Sequence, residues 1–194
     1  MKNVGQTRKR VELLLWRVSV NALALLVLST TVDSQSPYVG QESREIKALS
    51  AQEVSDYLSG RGIGLAKAAE LNGYPGPAHV LEFATELELT SEQKSKTEVL
   101  FKKMQAQAIP MGEQLVEEER ALDHLFASHA ISSENLGQVL LRIGRLQSQV
   151  RQVHLDAHIE ESAMLTPEQI KKYNLLRGYG IADEREIHRP AGQH

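Results

Sequence analysis

The stretch SENLGQVLLRIGRLQSQVRQVHLDAHIEESA, residues 133–163, decides the fold. Its apolar side chains recur at steps of three and four residues, which places them on one face of a long α-helix. Residues 91–128 show the same spacing, and a short turn at residues 130–133 joins the two stretches. Because so short a turn leaves neighbouring helices antiparallel, the sequence predicts a helical hairpin. Pro110 removes one backbone donor inside the first helix, so we expect the hairpin to be bent.

Shorter helices are predicted on both sides of this hairpin. Ser50 and Glu53 have the spacing of a capping box, and Gly178 is a typical residue to end a helix. Aromatic residues make up only 5% of the chain, which argues against a β-sandwich or a β-barrel. The predicted class is therefore all-α, a long bent antiparallel helical hairpin with shorter flanking helices. These shorter helices are expected at residues 51–58, 65–71, 78–87 and 167–177.

The composition excludes several classes of function. The formal net charge of −3 disfavours a general nucleic-acid binder, which would normally be basic. The absence of cysteine excludes disulfides, zinc ribbons, iron–sulfur clusters and thiol catalysis. The glycine-rich residues 60–64 are not preceded by a predicted strand, so we interpret them as a flexible joint and not as a phosphate-binding loop. No triad of Ser, His and Asp stands out, and we do not expect an enzyme.

Residues 1–34 have the organisation of a secretory signal peptide. Five basic residues lie within residues 1–17, an apolar stretch follows at residues 18–28, and small side chains precede a cleavage site after Ser34. An uncleaved N-terminal anchor is the alternative, but the uncharged stretch of 15 residues at 18–32 is shorter than the ~20 residues that span a bilayer. We therefore expect a periplasmic protein. In the alternative, the chain is anchored in the inner membrane and faces the periplasm.

A motif of the form L-T-x-E-Q occurs twice. In each copy the Thr is predicted to cap a helix, and the Gln three residues later is predicted to return a hydrogen bond to the Thr amide. The Leu before the cap is expected to pack on the first turn. This motif begins helices in unrelated proteins, so one copy alone predicts a helix start and no more. The motif residues are Leu89, Thr90 and Gln93 in the first copy and Leu165, Thr166 and Gln169 in the second.

With two such copies in a small exported all-α chain, the sequence resembles the Spy/CpxP family of periplasmic proteins, whose repeated L-T-x-x-Q motif both copies match. The resemblance covers about residues 78–179, and the wider group includes the CnrX-like heavy-metal sensors. It implies a long bent hairpin, often dimerised into a cradle. It also implies an ATP-independent chaperone, an inhibitor of envelope-stress sensors or a metal-responsive sensor. The expected organisation is a linker with short helices at 35–77, a Spy/CpxP-like helical domain at 78–180 and a flexible tail at 181–194.

The first hypothesis from this resemblance is a non-enzymatic periplasmic stress-response protein that requires no cofactor. It would bind unfolded or envelope-stress partner proteins, and we expect a homodimer. Leu155 and Ile159 lie on the far side of their predicted helix from the main apolar face, so they are candidates for partner binding or for the dimer interface. Another alternative is a protein-interaction module that docks on an envelope protein through residues 40–77.

A periplasmic heavy-metal sensor or metal-resistance protein is the main alternative. His154 and His158 are four residues apart, which places both imidazoles on one helix face at the edge of the apolar stripe, and Glu161 follows one turn later. His79 and Glu82, also one turn apart, are candidate ligands from another helix. Imidazole and carboxylate ligands suit Zn²⁺, Ni²⁺, Co²⁺ or Cu²⁺. The metal-sensing relatives have a methionine where this chain has His158. The simpler interpretation is that the two histidines only cover the edge of the apolar face.

Overall fold

The computed structural model describes residues 36–179. The predicted signal peptide or anchor at 1–34 and the predicted tail at 181–194 lie outside the described residues. Within the described part of the chain every regular element is an α-helix, which confirms the predicted all-α class. Residues 41–77, predicted as part of a linker with short helices, belong to the same compact unit as the hairpin. The helices are α1 (Ala51–Leu58), α2 (Lys67–Glu70), α3 (Pro77–Glu82), α4 (Ser91–Ala127), α5 (Ser133–Met164) and α6 (Pro167–Leu176).

The two long helices, α4 and α5, form the predicted antiparallel pair. They contain 37 and 32 residues, so α4 is roughly 55 Å long at about 1.5 Å per residue. α4 continues without interruption through Pro110, and the bend expected there stays a prediction. None of the helices between residues 36 and 179 combines the length and the apolar character that crossing a membrane requires. Side-chain hydrogen bonds connect the two helices, and their partners lie closer together in sequence toward the turn, as antiparallel helices require. The pairs are Thr97 with Glu161, Lys103 with Glu160, and Glu118 with Arg142.

Most of the predicted apolar face is buried between the two helices. Leu140 and Phe126 are exceptions, because both are about half-exposed. Each directly follows a better-buried apolar residue in its helix, and a step of one residue turns a side chain by about 100° away from the shared face. Two clusters fill the contact between the helices: Leu115, Val139 and Ile143 near the turn, and Leu100, Met104 and Ala157 toward the open end.

The flanking helix α1 packs directly on α4. The predicted capping box of Ser50 and Glu53 is present at its start. The backbone of Tyr57 approaches Gly112 so closely that a Cβ atom at Gly112 would overlap the Tyr57 carbonyl oxygen. Glycine at this position of α4 therefore permits the contact.

The other short helices differ in length from the predictions. α2 spans only Lys67–Glu70, inside the predicted residues 65–71, and α3 ends at Glu82 instead of Leu87. After α3 the chain turns, with Glu88 in the left-handed region at φ 53°. This turn lets Leu87 enter a cluster with Val80, Leu165 and Tyr173. Burial of Leu87 thus overrides the local helical preference.

Glu70 joins α2 to α6. Its Oε1 atom accepts hydrogen bonds from Tyr173 Oη at 2.9 Å, Arg177 Nε at 2.8 Å and Tyr179 Oη at 3.0 Å. Burial alone would raise the pKa of Glu70, but these three donors hold the pKa below its ordinary value. The carboxylate therefore stays charged and fixes residues 67–70 against the last helix.

Candidate functional site

Both predicted capping boxes of the repeated motif are present. Thr90 accepts a hydrogen bond from the amide of Gln93 at 3.1 Å, and its own amide donates to Gln93 Oε1 at 3.0 Å. Thr166 and Gln169 repeat the arrangement at 3.2 Å and 2.9 Å. The motif thus starts α4 and α6 as the sequence predicted.

The sequence did not indicate that the two boxes meet. Gln93 Nε2 donates to Gln169 Oε1 at 2.8 Å, and Gln169 Nε2 donates to Gln93 Oε1 at 3.1 Å. The second hydrogen of each amide goes to a backbone carbonyl, that of Met164 at 3.0 Å for Gln93 and that of Leu87 at 3.2 Å for Gln169. Each amide therefore uses its full set of donors and acceptors. The one sequence feature that could have indicated this contact is the presence of Gln in both copies. A carboxylate at the same position could not donate a hydrogen bond.

His158 is a packing residue in this structure. The side chain was expected at the edge of the apolar face, and it is buried because residues 74–76 cover it. Its Nδ1 atom lies 2.8 Å from the carbonyl oxygen of Tyr74, and since a carbonyl only accepts, Nδ1 carries the proton and donates. A Cβ atom at Gly76 would lie 2.7 Å from both Nε2 and Cε1. The backbone of residues 74–76 therefore covers the imidazole and is held to α5 by it.

His154 is also buried, with 4% of its surface exposed. Its Nε2 atom has no hydrogen-bond partner among the described residues. Burial lowers the pKa of this imidazole below its ordinary value, and the neighbouring His158 lowers it further. His154 is therefore a neutral ring with one unused polar atom.

Glu161 lies on the same face of α5 and is fully buried. Its Oε1 accepts a hydrogen bond from Thr97 Oγ1 at 2.8 Å, whereas Oε2 has no partner in the described part of the chain. Burial raises the pKa of Glu161 to about 7, and the Thr97 hydrogen bond offsets only part of the effect. Thr97, which sequence reasoning missed, is the residue that fixes this carboxyl group.

The five predicted metal ligands are not brought together. His79 Nδ1 and Glu82 pair with each other at 2.9 Å at the surface of α3. Between residues 36 and 179, no group of three His, Asp or Glu side chains lies close enough to hold a metal ion. His79, His154 and His158 do line one common cavity of about 640 Å³, between residues 60–79 and the hairpin.

An open groove lies between α4 and α5, and its lining includes Leu100 of the buried cluster. Val99 is 64% exposed in this groove. Ile159, a predicted partner-binding residue, is 57% exposed but does not line the groove. Leu155, the other predicted partner-binding residue, is half-buried. Lys103 and Glu160 form an ion pair at 3.0 Å. The groove has a volume of about 560 Å³ and is lined by Ser95, Lys96, Val99, Leu100, Lys103, Glu160, Ala163 and Met164.

Apolar side chains bordered by lysines and a glutamate can bind an extended apolar segment of another protein while the rim stays solvated. Comparison of the chain with protein families, with characterised proteins and with solved structures finds no match.

Proposed function

We propose that this chain is a non-enzymatic periplasmic stress-response protein that binds unfolded or stress-signalling envelope proteins on its helical hairpin. The observation that carries the proposal is the open groove, in which Val99 is largely exposed beside Leu100 and Met164. Val99 lies in the first third of α4, and most of its side chain is in contact with solvent. It is available to a partner that exposes apolar residues of its own.

The charged rim of the groove supports a partner that is held loosely. Lys96 and Lys103 on α4 and Glu160 on α5 surround the apolar side chains, so a bound segment remains partly in contact with water. An exposed ion pair between such a rim and a partner contributes only about 0–1 kcal/mol to binding. The rim therefore favours a partner held by many weak contacts. Weak and interchangeable contacts suit partners without a fixed structure.

The resemblance of the two L-T-x-E-Q copies to the Spy/CpxP motif is the second support, and the predicted secretory signal is the third. Together they favour the periplasm as the compartment and a homodimer as the working form. The paired amides of Gln93 and Gln169 explain why a chain of this kind would keep both copies.

The experiment is suppression of aggregation of an unrelated unfolded protein by the purified chain. Val99→Asp should abolish suppression, because it places a charge among the apolar side chains of the groove without disturbing the buried face. Leu175→Asp is the matched control, since Leu175 is 57% exposed on α6 and does not line the groove. Equal suppression by Val99→Asp and the control would overturn the proposal.

A metal sensor remains the second candidate function because His154 keeps an unused Nε2 atom. His158 supports it less, since its Nδ1 donates to the carbonyl oxygen of Tyr74 and Gly76 lies close over the ring. Titration calorimetry with Zn²⁺, Ni²⁺, Co²⁺ and Cu²⁺ tests it directly. Sub-micromolar binding that His154→Ala abolishes would support a sensor, and absence of binding would leave the histidines to packing.

A further inference from the structure

We propose that the cavity between residues 60–79 and the hairpin is a binding site for a small organic carboxylate with an apolar body. This ligand site is separate from the groove of the proposed function, and none of its lining residues is shared with it. The cavity volume of about 640 Å³ lies within the ~300–1,000 Å³ that small-molecule sites occupy.

Two different parts of the chain build the cavity. Phe101 and Met104 of α4 give it an apolar wall beside the rings of His154 and His158, and residues 60–64 close it from the other side. Met104 is buried and Phe101 packs against the same cluster, so this wall is rigid. Apolar and aromatic walls of this kind bind the hydrocarbon part of a ligand.

The charges around the cavity favour an anion. Three basic side chains line the cavity, Arg61, Lys67 and Arg177, and Glu70 is the single acidic one. The lining is therefore positive although the formal net charge of the chain is −3. Glu70 already accepts three hydrogen bonds, one of them from Arg177.

Two of these three cations are engaged elsewhere and one is not. Arg61 pairs with Asp56 at 2.8 Å, and Arg177 pairs with Glu70. Lys67 makes no ion pair within residues 36–179. A carboxylate in the cavity would supply the partner that Lys67 lacks, and a point charge on a flexible stem suits such a contact.

His154 provides the polar group in the apolar wall. Its ring lines the cavity, it is almost fully buried, and its Nε2 atom has no hydrogen-bond partner among the described residues. Native proteins rarely leave a buried polar atom unpaired, and such an atom often marks a functional role or a bound water or ion. A neutral imidazole that lines the same cavity as Lys67 can share the recognition of a carboxylate or of a hydroxyl near it.

The loop over the cavity has an unusual backbone. Ile63 adopts φ 38°, a left-handed conformation that is unfavourable for a β-branched residue, between Gly62 and Gly64. Ile63 and both glycines line the cavity. Residues kept in unfavourable conformations concentrate at ligand sites, where the backbone shape is needed for binding.

The test uses the purified chain with octanoate and naphthoate as probes and octanol as an uncharged match, measured by calorimetry. We expect at least one carboxylate to bind at least tenfold more tightly than octanol. Lys67→Gln should remove that difference, whereas Lys94→Gln should preserve it, since Lys94 is exposed on α4 and lies outside the cavity. Absence of binding by both carboxylates would overturn the proposal, as would equal binding to wild type and Lys67→Gln.

A second variant blocks the cavity without removing a charge. A Cβ atom at Gly62 would make only ordinary contacts with the His154 ring, at 3.6 Å from Nδ1 and 3.8 Å from Cε1. Because Gly62 and His154 both line the cavity, we expect the side chain of Gly62→Leu to occupy part of it, with circular dichroism to check that the variant folds. Binding of the carboxylate should be lost in this variant, and retained binding would place the ligand elsewhere. Both variants keep the groove intact, so suppression of aggregation should be unchanged in them. A failure of one proposal is therefore distinguishable from a failure of the other.

Discussion

The buried carboxyl group of Glu161 makes a quantitative prediction about pH and stability. Its pKa is about 7 in the folded chain against an ordinary value of 4.5. Because the folded state holds this proton more tightly, the free energy of unfolding falls as pH rises from about 4.5 to about 7 and is level above that. The shift of about 2.5 pKa units corresponds to roughly 3 kcal/mol at about 1.36 kcal/mol per unit.

Glu161→Gln removes the titration and keeps the acceptor for Thr97. Between pH 5 and pH 8 the free energy of unfolding of the wild type should fall by about 2–3 kcal/mol relative to that of this variant. Urea unfolding of both proteins at the two pH values measures the difference. The lowered pKa of His154 makes the free energy of unfolding rise with pH in both proteins. Comparison of the wild type with the variant cancels this contribution and any other that the two proteins share.

The adjacent residue supplies the control. Glu160 is exposed and pairs with Lys103, so Glu160→Gln should change stability by less than about 1 kcal/mol at either pH. If Glu161→Gln and wild type kept the same difference in stability at pH 5 and pH 8, the carboxyl group would not be desolvated and the argument from burial would fail.

Three further substitutions test the packing. Gln93→Glu removes both hydrogen bonds that this amide donates and should cost about 2 kcal/mol in urea unfolding, whereas Gln114→Glu at an exposed position of α4 should be nearly neutral. Gly112→Ala should destabilise the fold by about 1–3 kcal/mol, because the added methyl group would overlap the backbone of α1. Gly137 has open space around it, so Gly137→Ala should stabilise α5 by up to ~1 kcal/mol in thermal melts. His158→Ala leaves a carbonyl unpaired and a void beside residues 74–76, so the expected cost is about 2 kcal/mol; an unchanged melting temperature would show that the ring is not a packing element.

The long helices were predictable because their apolar spacing is sustained over many turns. Leu115 and Ile143 fall on the buried face as the spacing predicts. The helix starts were equally predictable, since a capping box depends on residues only three apart, as at Thr90 and Thr166. The length of α3 was not, because the turn that follows it is set by the burial of Leu87 among distant residues.

The environment of the histidines depends on tertiary contacts that no local pattern contains. The helical spacing correctly placed His154 and His158 on one face, but it could not show that residues 60–76 pack over that face. The same limit applies to Gln93 and Gln169, which lie 76 residues apart and meet only when α5 returns the chain to the start of α4. Local sequence identified each side chain, and the folded chain determined its partner.

The contact between Gln93 and Gln169 has a consequence for how the protein opens. If α6 detaches, Gln93 loses its partner amide, and the first turn of α4 loses support at the same moment. The two helix starts should therefore exchange their amide hydrogens as one cooperative unit, with a common opening free energy, although they are far apart in sequence. We therefore expect α6 and the first turn of α4 to unfold together in a two-state step, and not one residue after another from the C-terminal side.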